Sequence, residues 1–145
     1  MPSSTRAERS AAETSVAGVY LDTSALGRLL LGEPDSPAVI AALSRFDQHV
    51  ASRLARIELR RLALRHDLLD HADRLLGAVA LVPMTEPLLA AAETVAPDTV
   101  ATLDAIHLVT AVQLAASGAV GAVMTYDARL AAGAEHHGLD VLAPS

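Results

Sequence analysis

The apolar positions of this chain fall into short runs separated by longer stretches of helical period. Residues 16–21 (VAGVYL) form an apolar run that stops at Asp22, the pattern of a buried strand ending where polarity begins. Ser24 suits a helix N-cap, and the helical pattern continues to Leu31 before Gly32 and Pro34 break it. A second helix is expected over 36–47, followed by a short strand at 49–51. Residues 53–69 carry the strongest helical pattern. Leu54, Glu58, Leu62 and Leu69 lie on one stripe, and Arg53, Arg56 and Arg60 on another. A helix over 69–76, a strand over 78–82 ended by Pro83, and a helix over 87–95 stopped by Pro97 come next. Thr102 suits the cap of a helix running to Ser117, with Gly118 behind it. A strand over 120–125, a helix over 128–134, a turn at Gly138 and a last strand over 140–142 complete the chain, with no internal repeat.

Strands separated by helices imply an α/β fold, a parallel sheet covered on both faces, with ligands taken up at the strands' carboxyl ends. Asp22 and Asp127 close two of those strands. If the two strands are neighbours, both carboxylates share one edge of the sheet, and helices can deliver Glu58 and Asp104 to the same place. A carboxylate in such apolar settings costs free energy unless it is paired or binds a cation. One shared metal site would account for all four acids.

Length and composition narrow the chemistry. The 145 residues, 52% hydrophobic, suit one domain with one core. Residues 1–17 (MPSSTRAERSAAETSVA) lack a signal peptide's apolar stretch and read as a polar, poorly ordered leader ahead of a domain over 18–145. No apolar run reaches the roughly 18 residues of a membrane span, and a cytoplasmic location is expected. Without cysteine there are no disulfides, thiol nucleophiles or thiolate zinc sites. All 11 basic residues are arginines, so P-loop and Schiff-base chemistries, which need lysine, are excluded. A net charge of -6 argues against broad electrostatic binding of nucleic acid but leaves room for a local basic patch.

Each acid has a plainer alternative when taken alone. Asp22 or Asp127 could be a strand-to-helix cap, and Asp104 could serve the dipole of its helix's first turn. Glu58 could pair with Arg61 or Arg65. Thr23, Ser24 and Thr125 flank the acids and could hold metal-bound waters, with turn and cap roles as the bland reading, favoured for Ser24. His107 follows Asp104 by one helical turn and could support the site, although a single histidine on a mostly apolar helix is more often a packing residue. The arginine stripe is read first as a solvated helix face, with Arg53, Arg56, Arg60, Arg61 and Arg65 as the candidates for touching phosphate. His136 and His137 point in different directions and suggest no zinc site.

Four stretches carry a resemblance to a known family: YLDTSAL at 20–26, RLARIELRRL at 53–62, TLDAIHLVTA at 102–111 and MTYDARL at 124–130. In this order they resemble the PIN domain, and within it the toxin ribonucleases of the VapBC toxin–antitoxin type, over about residues 18–144. The resemblance implies a three-layer α/β/α fold around five parallel strands. It makes Asp22, Glu58, Asp104 and Asp127 the ligands of magnesium or manganese in a metal-dependent endoribonuclease. It also implies an RNA substrate, neutralisation by a cognate antitoxin, and homodimers that join antitoxin in larger hetero-oligomers. Leu68–Leu76 and Pro87–Val95 are candidate partner surfaces, with core packing as the simpler account. One departure is that many relatives have a basic residue just before the TLDA-like motif, where this chain has Val100, Ala101 and Thr102. Two other readings stand beside this one: a catalytically weak binding module acting through protein partners, and a phosphatase of small phosphate esters. The four intact acids weigh against the first, and nothing in the sequence marks a closed small-molecule pocket for the second.

Overall fold

The computed structural model describes residues 18–145; the expected leader over 1–17, including Val16 and Ala17 of the first apolar run, lies outside the described residues. Five strands form one sheet: β1 (Gly18–Leu21), β2 (Gln48–Ser52), β3 (Ala80–Val82), β4 (Val120–Met124) and β5 (Asp140–Leu142). Their order is β3-β2-β1-β4-β5, and every pairing is parallel. The fold is therefore the α/β type expected, with β1 at the centre and β4 beside it.

Alternation along β1 separates two cores, because successive side chains of a strand leave opposite faces of the sheet. Val19 and Leu21 join one core with Leu26, Val39, Leu59, Ala63 and Met124. It is covered by α1 (Thr23–Leu30), α2 (Ser36–Leu43), α3 (Arg53–Arg65) and α4 (Leu69–Leu76). Tyr20 points the other way, into a core with Val50, Leu108, Ala111, Val123 and Leu130. That face is covered by α5 (Glu86–Ala92), α6 (Thr102–Ala116) and α7 (Ala128–His136). The result is three layers, α/β/α.

Several boundaries differ from the expectation for local reasons. The α1 cap is Asp22 rather than Ser24: Asp22 has extended backbone angles and its side chain accepts from Ser24 N. Ala101, not Thr102, precedes the first turn of α6, and it makes no side-chain cap bond. Helix α3 stops at Arg65 because Asp67 adopts a left-handed φ of 55° and Leu68 N turns back to Ala63 O at 2.9 Å, a closure that satisfies an end carbonyl. The buried stripe of α3 is Leu54, Ala55, Leu59 and Ala63, while Glu58 and Leu62 are half-buried at its margin and Leu69 belongs to α4. Periodicity found the helix, and alanines too small to stand out in the pattern fill its tightest contacts.

Among the described residues no helix is long and apolar enough to cross a membrane.

Candidate metal centre at the carboxyl edge of the sheet

The pairing of β1 with β4 brings the two strand-end aspartates to one edge. Asp22 N donates to Met124 O at 3.1 Å, extending the ladder one residue beyond β1. Asp22 is buried, 4% exposed, and a carboxylate placed there needs partners. Its Oδ2 has them: Ser24 Oγ donates at 2.6 Å and Thr125 Oγ1 at 2.8 Å. Thr125 in turn accepts from Asp127 N at 3.0 Å, and Asp127 Oδ1 caps α7 by accepting from Leu130 N at 2.9 Å. Ser24 Oγ also accepts from Tyr126 N at 2.9 Å. The plain cap roles of Asp22 and Asp127 are thus real, and each uses only one carboxylate oxygen.

Glu58 arrives from the opposite helical layer to Asp104. Its Oε1 accepts from Thr23 Oγ1 at 2.8 Å and from His107 Nε2 at 2.7 Å. Pairing with Arg61 or Arg65 is not what the structure shows for Glu58. Burial opposes ionisation of this carboxyl, but the bonds from His107 and Thr23 outweigh it and hold Glu58 below its ordinary value. His107 is 1% exposed and lies 3.5 Å from Asp22 Oδ1 through the same Nε2. Burial works against a charged imidazole, yet the bond to Glu58 and the charges of Asp22, Glu58 and Asp104 raise its pKa overall. On the far side of the ring, Nδ1 is 2.5 Å from Tyr20 Oη. Burial, followed by the charge of Asp22, pushes the Tyr20 phenol well above its usual value.

Asp104 sits in the first turn of α6 and is half-buried. Burial and then the fields of Asp127 and Asp22 push its carboxyl up to about 6, with Glu58 adding to the rise and His107 opposing it. The four predicted acids therefore share one electrostatic neighbourhood. Among the described residues no three His, Asp or Glu groups are already closed into an ion-holding set, so the acids stand as separate carboxylates, with Asp22, Glu58 and Asp127 each anchored by hydrogen bonds. The donor chemistry suits a hard divalent cation, since all four side chains offer carboxylate oxygens, and burial together with the field of the neighbouring acids already disfavours a negative charge at Asp104. Asp22 Oδ1, Glu58 Oε2 and Asp127 Oδ2 take no hydrogen bond from the described residues. Of these, Asp22 Oδ1 faces His107 Nε2 at 3.5 Å.

Three kinds of supporting residue carry only weak signals in the sequence. His107, read as a packing residue, joins Glu58 to Tyr20, which had not been singled out. Ser24 and Thr125, read as turn and cap residues, hold the buried Asp22. The signal that was present is the spacing of Asp104 and His107, which puts both on one side of α6 one turn apart. Of the candidate arginines on α3, Arg60 pairs with Asp73 of α4, both largely in solvent.

A protein-family model described as PIN domain matches residues 19–136. Ribonuclease VapC47 of Mycobacterium tuberculosis is 35% identical over 133 residues, covering 87% of this chain and 96% of that protein. Ribonuclease VapC46 of the same species is 36% identical over 137 residues, covering 90% and 100%. Among solved structures, a toxin–antitoxin complex from Klebsiella pneumoniae superposes with a TM-score of 0.69 at 19% identity, covering 88% of this chain and 98% of that one. Mycobacterium tuberculosis VapC20, described as a Sarcin-Ricin loop cleaving toxin, superposes with a TM-score of 0.63 at 17% identity, covering 79% and 93%.

Proposed function

The chain belongs to the PIN domain family, of the VapC type, and from that premise we propose that it is a divalent-metal-dependent endoribonuclease, the toxin half of a toxin–antitoxin pair. The observation that carries the reading is the raised carboxyl of Asp104, pushed up to about 6 in the company of Asp127, Asp22 and Glu58. Burial, the larger cause, and the repulsion between the acids both disfavour the charged form, and a bound cation relieves the repulsion. RNA as the substrate is supported by the ribonuclease names of the two relatives of comparable length.

In this reading Asp22, Glu58, Asp104 and Asp127 hold magnesium or manganese. When bound, the ion supplies Lewis-acid activation of a water nucleophile and charge stabilisation at the phosphodiester. The chain's own part is positional. Ser24 and Thr125 fix Asp22, the α7 backbone fixes Asp127, and Thr23 with His107 fixes Glu58. The hydroxyls beside the acids, Thr23, Ser24 and Thr125, are each spent on holding a carboxylate, which fits direct hydrolysis by water.

An antitoxin partner is supported by the likeness to the Klebsiella pneumoniae complex and by an apolar recess among Leu26, Leu29, Leu43, Leu75 and Val79 beside exposed Ile40. A homodimer that enlarges into a toxin–antitoxin hetero-oligomer and a cytoplasmic site of action complete the proposal.

The test is cleavage of a panel of structured RNAs by the purified chain with Mg²⁺ or Mn²⁺, with EDTA, and with Asp22→Asn and Asp104→Asn. The wild type should cut only with metal and both variants should lose cleavage by several orders of magnitude. Equal cutting by folded variants, or cutting in EDTA, overturns the reading.

A further inference from the structure

Glu58 and His107 come from different layers of the fold. Glu58 lies on α3, whose Ala55 and Leu59 pack in the core on one face of the sheet, and His107 on α6, whose Leu108 and Ala111 pack in the core on the other. Their 2.7 Å bond spans the carboxyl edge of the sheet and joins the two layers. Behind it, Tyr20 of the central strand reaches His107 Nδ1. Three residues from three elements thus form one hydrogen-bonded chain, ending on an acid of the candidate centre.

The direction of that chain follows from donor chemistry. An ionised carboxylate only accepts, so His107 Nε2 carries a proton and donates to Glu58 Oε1. In the neutral ring Nδ1 is then the acceptor, and the Tyr20 hydroxyl donates to it. In the protonated ring, which the surrounding acids favour, Nδ1–H donates to Tyr20 Oη instead; in either state the bond to the phenol fixes the plane of the ring, which meets the Tyr20 ring edge-on at 68°. Both residues are essentially inaccessible, Tyr20 0% and His107 1% exposed, so neither can be contacting substrate. Their hydrogen bond to the acids is to Glu58, with Asp22 Oδ1 3.5 Å from the same Nε2: Glu58 Oε1 is occupied twice, by His107 and by Thr23, and Oε2 is the oxygen left for a cation.

We propose that Tyr20 and His107 are positioning residues for the metal centre, a buried relay that holds Glu58 in one orientation with Oε2 available for coordination. The assignment rests on the four-acid reading of the site and goes beyond it in adding two residues that are not ligands. A flexible glutamate half in solvent would otherwise lose side-chain entropy when it binds a cation, and prepaying that loss strengthens binding.

The experiment measures Mn²⁺ binding to the purified chain without RNA, by calorimetry and by the electron paramagnetic resonance of free Mn²⁺, alongside thermal unfolding in EDTA. The variants are His107→Gln, His107→Leu, Tyr20→Phe and Glu58→Gln. His107→Leu should weaken binding by roughly ten- to a hundred-fold, the range seen when groups supporting metal ligands are removed. Glu58→Gln should weaken it at least as much. Tyr20→Phe should give a smaller loss, and His107→Gln, which keeps an amide donor, should recover part of the affinity lost in the leucine variant. Unchanged Mn²⁺ affinity in Tyr20→Phe and His107→Gln together, or equal loss in the glutamine and leucine variants, overturns the relay. If Glu58→Gln weakens binding while the His107 and Tyr20 variants do not, the relay alone fails. Should Glu58→Gln bind Mn²⁺ as tightly as wild type, the four-acid site fails and the relay falls with it. If His107→Leu does not fold, Tyr20→Phe and His107→Gln still decide the outcome.

Discussion

Thr125 Oγ1 donates to Asp22 Oδ2 at 2.8 Å while accepting from Asp127 N at 3.0 Å, so one hydroxyl ties together the acids that end β1 and β4. Both bonds are to groups with little access to water, and a buried acceptor left without its donor costs more than the bond itself contributes.

Thr125→Val keeps the shape of the side chain and removes both bonds. It should lower stability by about 1–3 kcal/mol in metal-free protein, read from urea unfolding. Thr125→Ser should recover most of that loss. If valine is as stable as threonine, the hydroxyl is not holding Asp22.

Asp104 gives the metal-free protein a pH dependence whose sign can be worked out. Its folded-state pKa, about 6, is above its ordinary value of 3.8, so the fold binds the proton more tightly than the unfolded chain does. This group therefore penalises the fold at high pH, and the penalty fades as pH falls from above about 6 towards 3.8. Asp104→Asn should be more stable than wild type in EDTA at neutral pH, with the difference shrinking as pH falls through that window. Chemical denaturation of both proteins across pH checks it, and a difference that does not vary with pH would falsify the assignment of the raised carboxyl to Asp104. Mn²⁺ competes with the same proton, so its apparent affinity should drop as pH falls below about 6.

Gly18 begins the central strand where there is no room for a side chain. A Cβ there would lie 2.8 Å from Ala119 O and 3.1 Å from Gln48 O, both backbone atoms of the neighbouring segments. It also stands at the irregularity in the β1–β4 register. Gly18→Ala should destabilise by about 1–3 kcal/mol through overpacking, with a lower thermal midpoint. An unchanged midpoint would show that β4 yields freely.

The arginines of α3 should not behave alike. Arg60 is engaged with Asp73 in solvent, where ion pairs add little, so Arg60→Ala should leave both the unfolding midpoint and RNA affinity nearly unchanged. Arg53 follows Ser52 directly at the carboxyl end of β2 and is exposed. For Arg53→Ala the slope of log RNA affinity against log salt should be shallower by roughly 0.7, one phosphate contact's worth. Titrations in a cleavage-dead background such as Asp22→Asn measure this, and identical slopes for Arg53→Ala and wild type would leave α3 as a solvated face.

Much of the architecture was legible in the residues. Strand runs ending at Asp22 and beside Asp127, broken by helices, are enough for a parallel sheet with two acids at its carboxyl edge, because periodicity reports which faces are buried. The caps were less legible: Asp22 and Ser24 are both good capping residues, and only the extended backbone of Asp22 decides between them. The α3 stripe was misread at Leu69 because a single left-handed residue, Asp67, ends the helix without a glycine or proline to announce it.

By itself the sequence determined the layers and which four acids could meet, since both follow from local pattern and the order of elements along the chain. Only the tertiary structure decided how those acids are held. The bond between Glu58 and His107 joins residues 49 apart, and that between Tyr20 and His107 joins residues 87 apart. No local pattern encodes such distances. They are set when β1 pairs with β4 and the helices settle on opposite faces, which turns a histidine that looks like packing into a donor and leaves one oxygen of Glu58 without a partner.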